Sequence, residues 1–367
     1  MLIKIQDIEK ILRDRGTSSV LLVCGNSFRR QELYKRLKEA VEKAGAKLTE
    51  FSNFAPNPKY ESVVEGIQTF LEHQCGFIVA AGGGSAMDVA KCIKLFQNMD
   101  LDQNCLEQEI TNTAIPLLAV PTTAGTGSEA TRFAVIYYKG NKQSVGHPGC
   151  IPEYVLLDAS LLETLPDYQK KATMLDALCH ALESYWSVNS TKESREYAAE
   201  AIREVFRHRE AYLANDRSGN EGMLLAANTA GCAINITQTT AGHAMCYKLT
   251  TLYGLAHGHA AAFCVAVLWP YMTAHTEDCI DPRGETYLKE MFQELAEVMG
   301  CADEKAAVRK YQEFLKELNL PAPVFKEEQE LEILKRSVNP DRLKNNPVRL
   351  TEETLEELYR QIPGVLN

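Results

Sequence analysis

Asp176 and His180 stand four residues apart in Asp176-Ala177-Leu178-Cys179-His180, and His243 and His257 follow in an apolar stretch punctuated by glycine. Side chains at i and i+4 project from one helical face, so a carboxylate oxygen and an imidazole nitrogen can converge on a cation. One carboxylate and three imidazoles make a mixed oxygen and nitrogen set. That set suits a divalent transition metal such as Fe(II) or Zn(II). The first expectation is therefore a buried metal centre built from Asp176, His180, His243 and His257.

A second chemistry is written in the first half of the chain. Gly82-Gly83-Gly84-Ser85 follows the apolar run Gly76-Phe-Ile-Val-Ala-Ala81 and opens a helical pattern. Glycines let the backbone approach a ligand closely, and a helix N-terminus offers unpaired N–H groups to a phosphate. The spacing is neither Gly-x-Gly-x-x-Gly nor a nucleotide-triphosphate loop. Another loop, Pro121-Thr-Thr-Ala-Gly-Thr-Gly-Ser128, follows the run Pro116-Leu-Leu-Ala-Val120. Two such loops at the carboxyl ends of parallel strands would line one crevice, where open α/β sheets bind ligands.

The elements that must position these residues fall into two kinds. Apolar runs at 19–24, 47–51, 76–81 and 116–120 read as strands, and 32–44, 60–73 and 86–96 read as helices. That alternation implies a Rossmann-like, mostly parallel sheet with helices on both faces. From about residue 160 helical periodicity takes over, over 164–185, 194–214, 220–233, 258–274, 288–300, 304–318 and 352–361. The expected domains are an α/β dinucleotide-binding unit, 1–159, and an all-helical metal-binding unit, 160–367. The charged tail from Lys326 to Glu357 reads as solvated helices and loops, with turns at Asn339-Pro-Asp-Arg342 and Asn345-Asn-Pro347.

Composition excludes several functions. The 367 residues are 45% hydrophobic, as in an ordinary globular protein. A net charge of −10 gives a nucleic-acid partner no electrostatic support. No apolar run reaches the roughly 18 residues that a membrane span needs. The charged N-terminus lacks the apolar core of a signal peptide. Eleven scattered cysteines without a Cys-x-x-Cys pair point to reduced thiols in a cytoplasm. His73, His147, His208 and His275 read as surface residues.

Together, residues 82–91 (GGGSAMDVAK), 121–131 (PTTAGTGSEAT), 176–187 (DALCHALESYWS), His243 and 257–263 (HGHAAAF) resemble the iron-containing (group III) alcohol dehydrogenase family. Its fold is shared with dehydroquinate synthase and glycerol dehydrogenase. The likeness runs from about residue 20 to about residue 320. It implies Fe(II), or Zn(II), on Asp176, His180, His243 and His257, and NADH or NADPH with its pyrophosphate on Gly82, Gly83, Gly84 and Ser85. Asp88, Thr122, Thr123, Ser128 and Lys142 fall where the family contacts or covers the cofactor. The implied assembly is a homodimer, and the implied reaction interconverts a small-molecule alcohol and an aldehyde by hydride transfer.

Two departures bear on mechanism. Tyr247 stands where many members carry a second histidine four residues after the first late ligand. Tyr247 or His259 is therefore expected to relay the proton. At the end of the first strand, NAD-preferring members often have an aspartate, where this chain has Gly25 followed by Arg29 and Arg30. That substitution favours NADPH, with two solvated arginines as the plain alternative. Arg132 and Lys248 are two cations next to the motifs, and they suit an anionic substrate. The surrounding segments look like a subgroup that reduces phosphonoacetaldehyde to 2-hydroxyethylphosphonate. In the alternative, both cations pair with carboxylates such as Glu129 or Glu183 and the substrate is a neutral short-chain aldehyde. A lyase resembling dehydroquinate synthase and a non-catalytic scaffold are the remaining readings.

Overall fold

The computed structural model describes residues 1–111, 114–325 and 327–365; Lys326, the first residue of the charged tail, lies outside them. The chain forms two compact units, Met1–Leu165 and Pro166–Asn367.

The first unit is built on strands β1 (Ser19–Cys24), β2 (Lys47–Phe51), β3 (Phe77–Gly82), β4 (Leu117–Pro121) and β7 (Tyr154–Val155). They pair in parallel in the order β2-β1-β3-β4-β7. The runs of β1, β3 and β4 are apolar throughout because both faces are covered. Leu21, Val23, Ile78, Ala80, Leu117 and Ala119 face helices α4 (Tyr60–Glu72) and α5 (Gly84–Phe96). Val20, Leu22, Phe77, Val79, Leu118 and Val120 face α1 (Ile8–Asp14) and α3 (Glu32–Lys43). A short helix, α2 (Asn26–Arg29), follows β1 directly.

Strand order reverses between β1 and β3, so the carboxyl ends of these strands bound the crevice where such sheets bind ligands. Gly25 follows β1, Gly83 follows β3 and Thr122 follows β4. The two motif loops are neighbours: Gly82 is in register with Pro121, and the Thr122 N–H donates to the Gly82 carbonyl at 3.0 Å.

The sequence reading named neither α1, α2 nor β7, and it missed a hairpin as well. Strands β5 (Phe133–Tyr138) and β6 (Asn141–Gly146) form an antiparallel hairpin. Its two-residue turn, Lys139-Gly140, has φ of 50° and 77°, the left-handed geometry that matches strand twist. Lysine is an unusual first residue there, so the expected Asn-Gly or Asp-Gly signal is missing.

The second unit is helical: α6 (Asp167–Trp186), α7 (Lys192–Leu213), α8 (Arg217–Thr237), α9 (Ala241–Tyr253), α10 (His257–Ala274), α11 (Glu285–Val298), α12 (Glu304–Leu318), α13 (Glu328–Ser337), α14 (Pro340–Leu343) and α15 (Glu352–Gln361). Helix α6 starts after Pro166, later than the expected 164. The turn expected over 339–342 is a short helix, with Pro340 at its first position and the Asn339 side chain accepting from the Asp341 N–H. No helix among the described residues is long and apolar enough to cross a membrane.

Candidate metal centre

Helix α6 is buried along almost its whole length, because α7, α8, α10 and α11 pack around it. Asp176, His180 and Glu183 occupy positions i, i+4 and i+7, one stripe of this helix. His243 comes from the first turn of α9, and His257 is the first residue of α10. One ligand atom each from Asp176, His243 and His257 lies within 4.8 Å of the others. His180 joins from the side, with Nε2 4.0 Å from Asp176 Oδ1 and its ring stacked on that of His243 at 4.5 Å.

Two glycines make this convergence possible. A Cβ on Gly258 would stand 2.1 Å from the Ala172 carbonyl oxygen and 2.5 Å from Asp176 Cβ. A Cβ on Gly242 would stand 2.7 Å from Glu183 Oε1. Only a bare Cα lets α9 and α10 approach α6 this closely at the residues beside His243 and His257.

Glu183 is the principal residue that the sequence reading misplaced. It was offered as a partner for surface cations, but it is fully buried. Its Oε2 accepts from the Thr240 N–H and hydroxyl, and its Oε1 accepts from the His243 N–H at 3.0 Å and from His243 Nδ1 at 2.5 Å. Thr240 is the N-cap of α9, so a carboxylate from α6 occupies the positive end of α9. Burial raises the Glu183 carboxyl, but His243 and Thr240 outweigh it and hold the group below the usual range.

This bonding sets the tautomer of His243. A carboxylate only accepts, so Nδ1 carries the hydrogen and Nε2 is left facing Asp176 Oδ1 at 3.4 Å. Two acceptors so close and so buried require a cation between them, either a proton on Nε2 or a metal ion that takes its place. Burial would lower the imidazole pKa, but Glu183 and Asp176 raise it to about 9. Burial also raises the Asp176 carboxyl, and His180, His243 and His257 pull it far below the usual range. A buried anion among three imidazoles is the donor set of a divalent transition metal, and the residues fit one.

Tyr247 lies one turn beyond His243, with its ring stacked on His257 at 5.5 Å and 18°. Burial pushes its phenol far up, so it keeps its proton at neutral pH. His259 is a correction. Its Nε2 donates to the Pro321 carbonyl at 3.1 Å, and its Nδ1 accepts from the Tyr168 hydroxyl at 3.0 Å. The Tyr168 oxygen in turn accepts from the Ala256 N–H. Both ring nitrogens are therefore committed to fixing the start of α10, and no proton relay is left to His259. Lys248 sits on α9 beside Tyr247. Arg342 was not singled out from sequence; it donates to Gln238 at 2.8 Å and its charge acts on Tyr247.

In the first unit, Gly83 caps α5, and Gly82, Gly84, Ser85, Thr122 and Thr123 are half-buried around it. The side chains of Thr123 and Thr126 border Gly83 and Gly84. Ser128 is corrected to an internal brace. It accepts from the fully buried Lys91 ammonium at 3.0 Å and also bonds Asp88. Lys91 further donates to the Thr131 carbonyl and hydroxyl and to the Phe133 carbonyl at 2.9, 3.1 and 2.7 Å. Burial raises the Asp88 carboxyl to about 7, while Lys91, the Val135 N–H and Lys142 on β6 draw it back. Arg132 lies over Phe133 at 5.3 Å. Arg29 is bound to Glu50, Asn26 and Ser52, which removes it as a free partner for a cofactor phosphate.

Residues 4–159 match the domain description "Iron-containing alcohol dehydrogenase", and residues 170–362 match "Fe-containing alcohol dehydrogenase family, C-terminal". The chain belongs to the iron-containing alcohol dehydrogenase family. Phosphonoacetaldehyde reductase of Streptomyces viridochromogenes is 34% identical over 76% of this chain and 74% of that protein. Lactaldehyde reductase of Escherichia coli is 28% identical over 79% of this chain and 74% of that protein. Sulfoacetaldehyde reductase from Bifidobacterium kashiwanohense, solved in complex with NAD+, superposes with a TM-score of 0.85 at 28% identity, covering 99% of this chain and 96% of that one. An iron-containing alcohol dehydrogenase from Thermococcus thioreducens shares the fold, with a TM-score of 0.90 at 22% identity over 99% and 98% of the two chains. The family consists of oxidoreductases that use a divalent metal and NAD(H).

Replacing Glu183 with glutamine should weaken metal binding by about 10- to 100-fold, because His243 loses the anion that orients it and raises its basicity. Metal content after dialysis against a graded chelator series checks this.

Proposed function

We propose that this chain is a metal-dependent, NAD(P)H-linked aldehyde reductase whose best substrate is a short aldehyde with an anionic head. The leading candidate is phosphonoacetaldehyde, reduced to 2-hydroxyethylphosphonate. The observation that carries the metal-dependent reading is the buried cluster of Asp176, His243 and His257, with the His243 lone pair turned on a carboxylate. Asp176, His180, His243 and His257 would hold the metal, Fe(II) by family resemblance, with Zn(II) accepted by the same donors. When bound, the metal supplies Lewis acidity toward a carbonyl oxygen and the reduced nicotinamide supplies hydride.

This chain's own residues do the rest. Glu183 keeps His243 in the tautomer that leaves Nε2 bare. Tyr247 walls His257 and retains its proton, so its role is hydrogen-bond donation to substrate and not abstraction of a proton. Gly82, Gly83, Gly84 and Ser85 take the cofactor pyrophosphate at the start of α5, with Thr122 and Thr123 beside it. Lys91, Asp88 and Ser128 brace that loop from behind, and Lys142 tempers the charge of Asp88. A reducing, cytoplasmic setting fits eleven cysteines that all stand as free thiols. Assembly as a homodimer rests on the family resemblance.

The anionic substrate is supported by two relatives. The named substrates of the phosphonoacetaldehyde and sulfoacetaldehyde reductases are both two-carbon aldehydes ending in an oxyanion. Arg132 and Lys248 are the proposed anion partners. The likeness to lactaldehyde reductase favours the second reading, a general reductase of neutral aldehydes.

Four outcomes are expected. In anaerobic, Fe(II)-loaded assays, phosphonoacetaldehyde should exceed propanal in kcat/KM by at least about tenfold, the worth of one charge-assisted bond. Lys248→Ala should raise KM for the phosphonate alone. Equal turnover of propanal would leave the neutral-aldehyde reading.

His257→Ala should abolish metal binding and turnover while leaving NADH affinity unchanged, measured by fluorescence titration. Retained turnover would remove the metal assignment.

Gly25→Asp should raise KM for NADPH by about tenfold or more and spare NADH, because a carboxylate there repels a 2′-phosphate. The backbone φ of −86° accepts an aspartate, and a Cβ meets only Ser27 Oγ at 4.0 Å. A parent enzyme already selective for NADH would overturn the NADPH reading.

A further inference from the structure

Cys246 stands three residues after His243 on α9 and is buried. Its sulfur lies 3.2 Å from the His243 carbonyl oxygen and 3.5 Å from His257 Nδ1. The carbonyl only accepts, so the thiol hydrogen points to it. The sulfur lone pairs then face His257, and Nδ1 is the donor. An imidazole with its hydrogen on Nδ1 has a bare Nε2. The His257 ring is bordered by Tyr247, stacked at 5.5 Å, and by His243 at 5.2 Å and 58°. The thiol therefore decides which nitrogen is protonated, while the neighbouring rings decide the plane.

We propose that Cys246 is a positioning residue of the metal centre, relaying the His243 backbone carbonyl to His257 Nδ1 and holding the His257 Nε2 lone pair ready for the metal. The two imidazoles then share a tautomer but differ in what enforces it. His243 rests on the Glu183 carboxylate, a charged acceptor. His257 rests on a neutral thiol, a weak one. The restraint on His257 is the softer of the two. A hydroxyl can make the same donor and acceptor pair, which gives the conservative replacement Cys246→Ser a clear expectation. Alanine can make neither bond.

This inference rests on the metal reading of Asp176, His180, His243 and His257. The test is therefore made on metal binding, not turnover. Apo protein is titrated anaerobically with Co(II), following its visible absorption, and Co(II) release into excess chelator is timed. Wild type, Cys246→Ala, Cys246→Ser and His257→Ala are compared, together with the thermal midpoint of each apo form. Cys246→Ala should bind Co(II) about tenfold more weakly, with faster release and a shifted absorption band. Cys246→Ser should return close to wild type, and the apo midpoints of the two variants should match. Wild-type affinity and band shape in Cys246→Ala would overturn the proposal. So would a Cys246→Ser as weak as Cys246→Ala, or a loss that appears equally in the apo midpoint, which would assign the thiol to packing. A wild-type protein that takes up no Co(II) would remove the metal reading, and this inference with it.

Discussion

The carboxylate of Glu183 at the N-terminus of α9 is the interaction on which the helical unit's chemistry depends. A helix N-terminus has unsatisfied N–H groups and a partial positive charge. Glu183 satisfies two of those donors, at Thr240 and His243, from a neighbouring helix. The Trp186 indole donates to the Thr240 hydroxyl oxygen at 3.0 Å, which frees that hydroxyl's hydrogen for the same carboxylate. The remaining bond goes to the His243 ring. One buried anion thus fixes the docking of α9 on α6 and the protonation pattern of a metal-type ligand. A fully buried carboxylate is costly unless every lone pair is engaged, and here four donors engage it.

The α/β unit has a counterpart of opposite sign. Lys91 is a fully buried ammonium surrounded by a serine hydroxyl, a threonine hydroxyl and two carbonyls. It leaves α5 two turns below the glycine cradle and ties down the segment that returns from β4 to β5. Desolvation lowers its pKa, and Asp88 opposes that most strongly. Both units use a single buried charge to set a loop or helix end that would otherwise be held by weak van der Waals contact. The exposed ion pairs elsewhere, such as Lys35 with Glu32, position nothing and contribute little.

Sequence legibility follows the length scale of the cause. Buried parallel strands announce themselves as unbroken apolar runs, and α12 and α15 begin at the expected residues because Asp303 and Thr351 cap their N-termini. The Asp176 and His180 pair is legible because its spacing is helical. Glu183 continues the same stripe at i+7, yet a lone glutamate beside tryptophan and tyrosine looks like any amphipathic position until its partners on α9 are seen. Helix α9 itself was hidden. Its sequence mixes glycine, threonine and apolar residues without a clear period, because it is buried among other helices instead of lying on one face of a core. His259 was misread for a related reason. Proximity in sequence to His257 suggested proximity in function, but neighbours on a helix diverge by about 100° per residue. Gly242 and Gly258 looked like punctuation, whereas their real meaning is the close approach of helices.

Charge accounting carries the argument from the metal centre to the substrate. Asp176 and Glu183 bring two negative charges to the buried cluster, and ligating imidazoles are neutral. A divalent ion there is balanced by the two carboxylates. Such a centre polarises an oxygen placed against it, but it has no net charge with which to attract a distant anion. The chain as a whole carries −10 and repels one. An anionic aldehyde would therefore have to be held by cations separate from the metal, the role proposed above for Arg132 and Lys248. The same accounting applies to Tyr247. A phenol that burial keeps protonated donates a hydrogen bond without adding charge, and so preserves the neutrality of the centre.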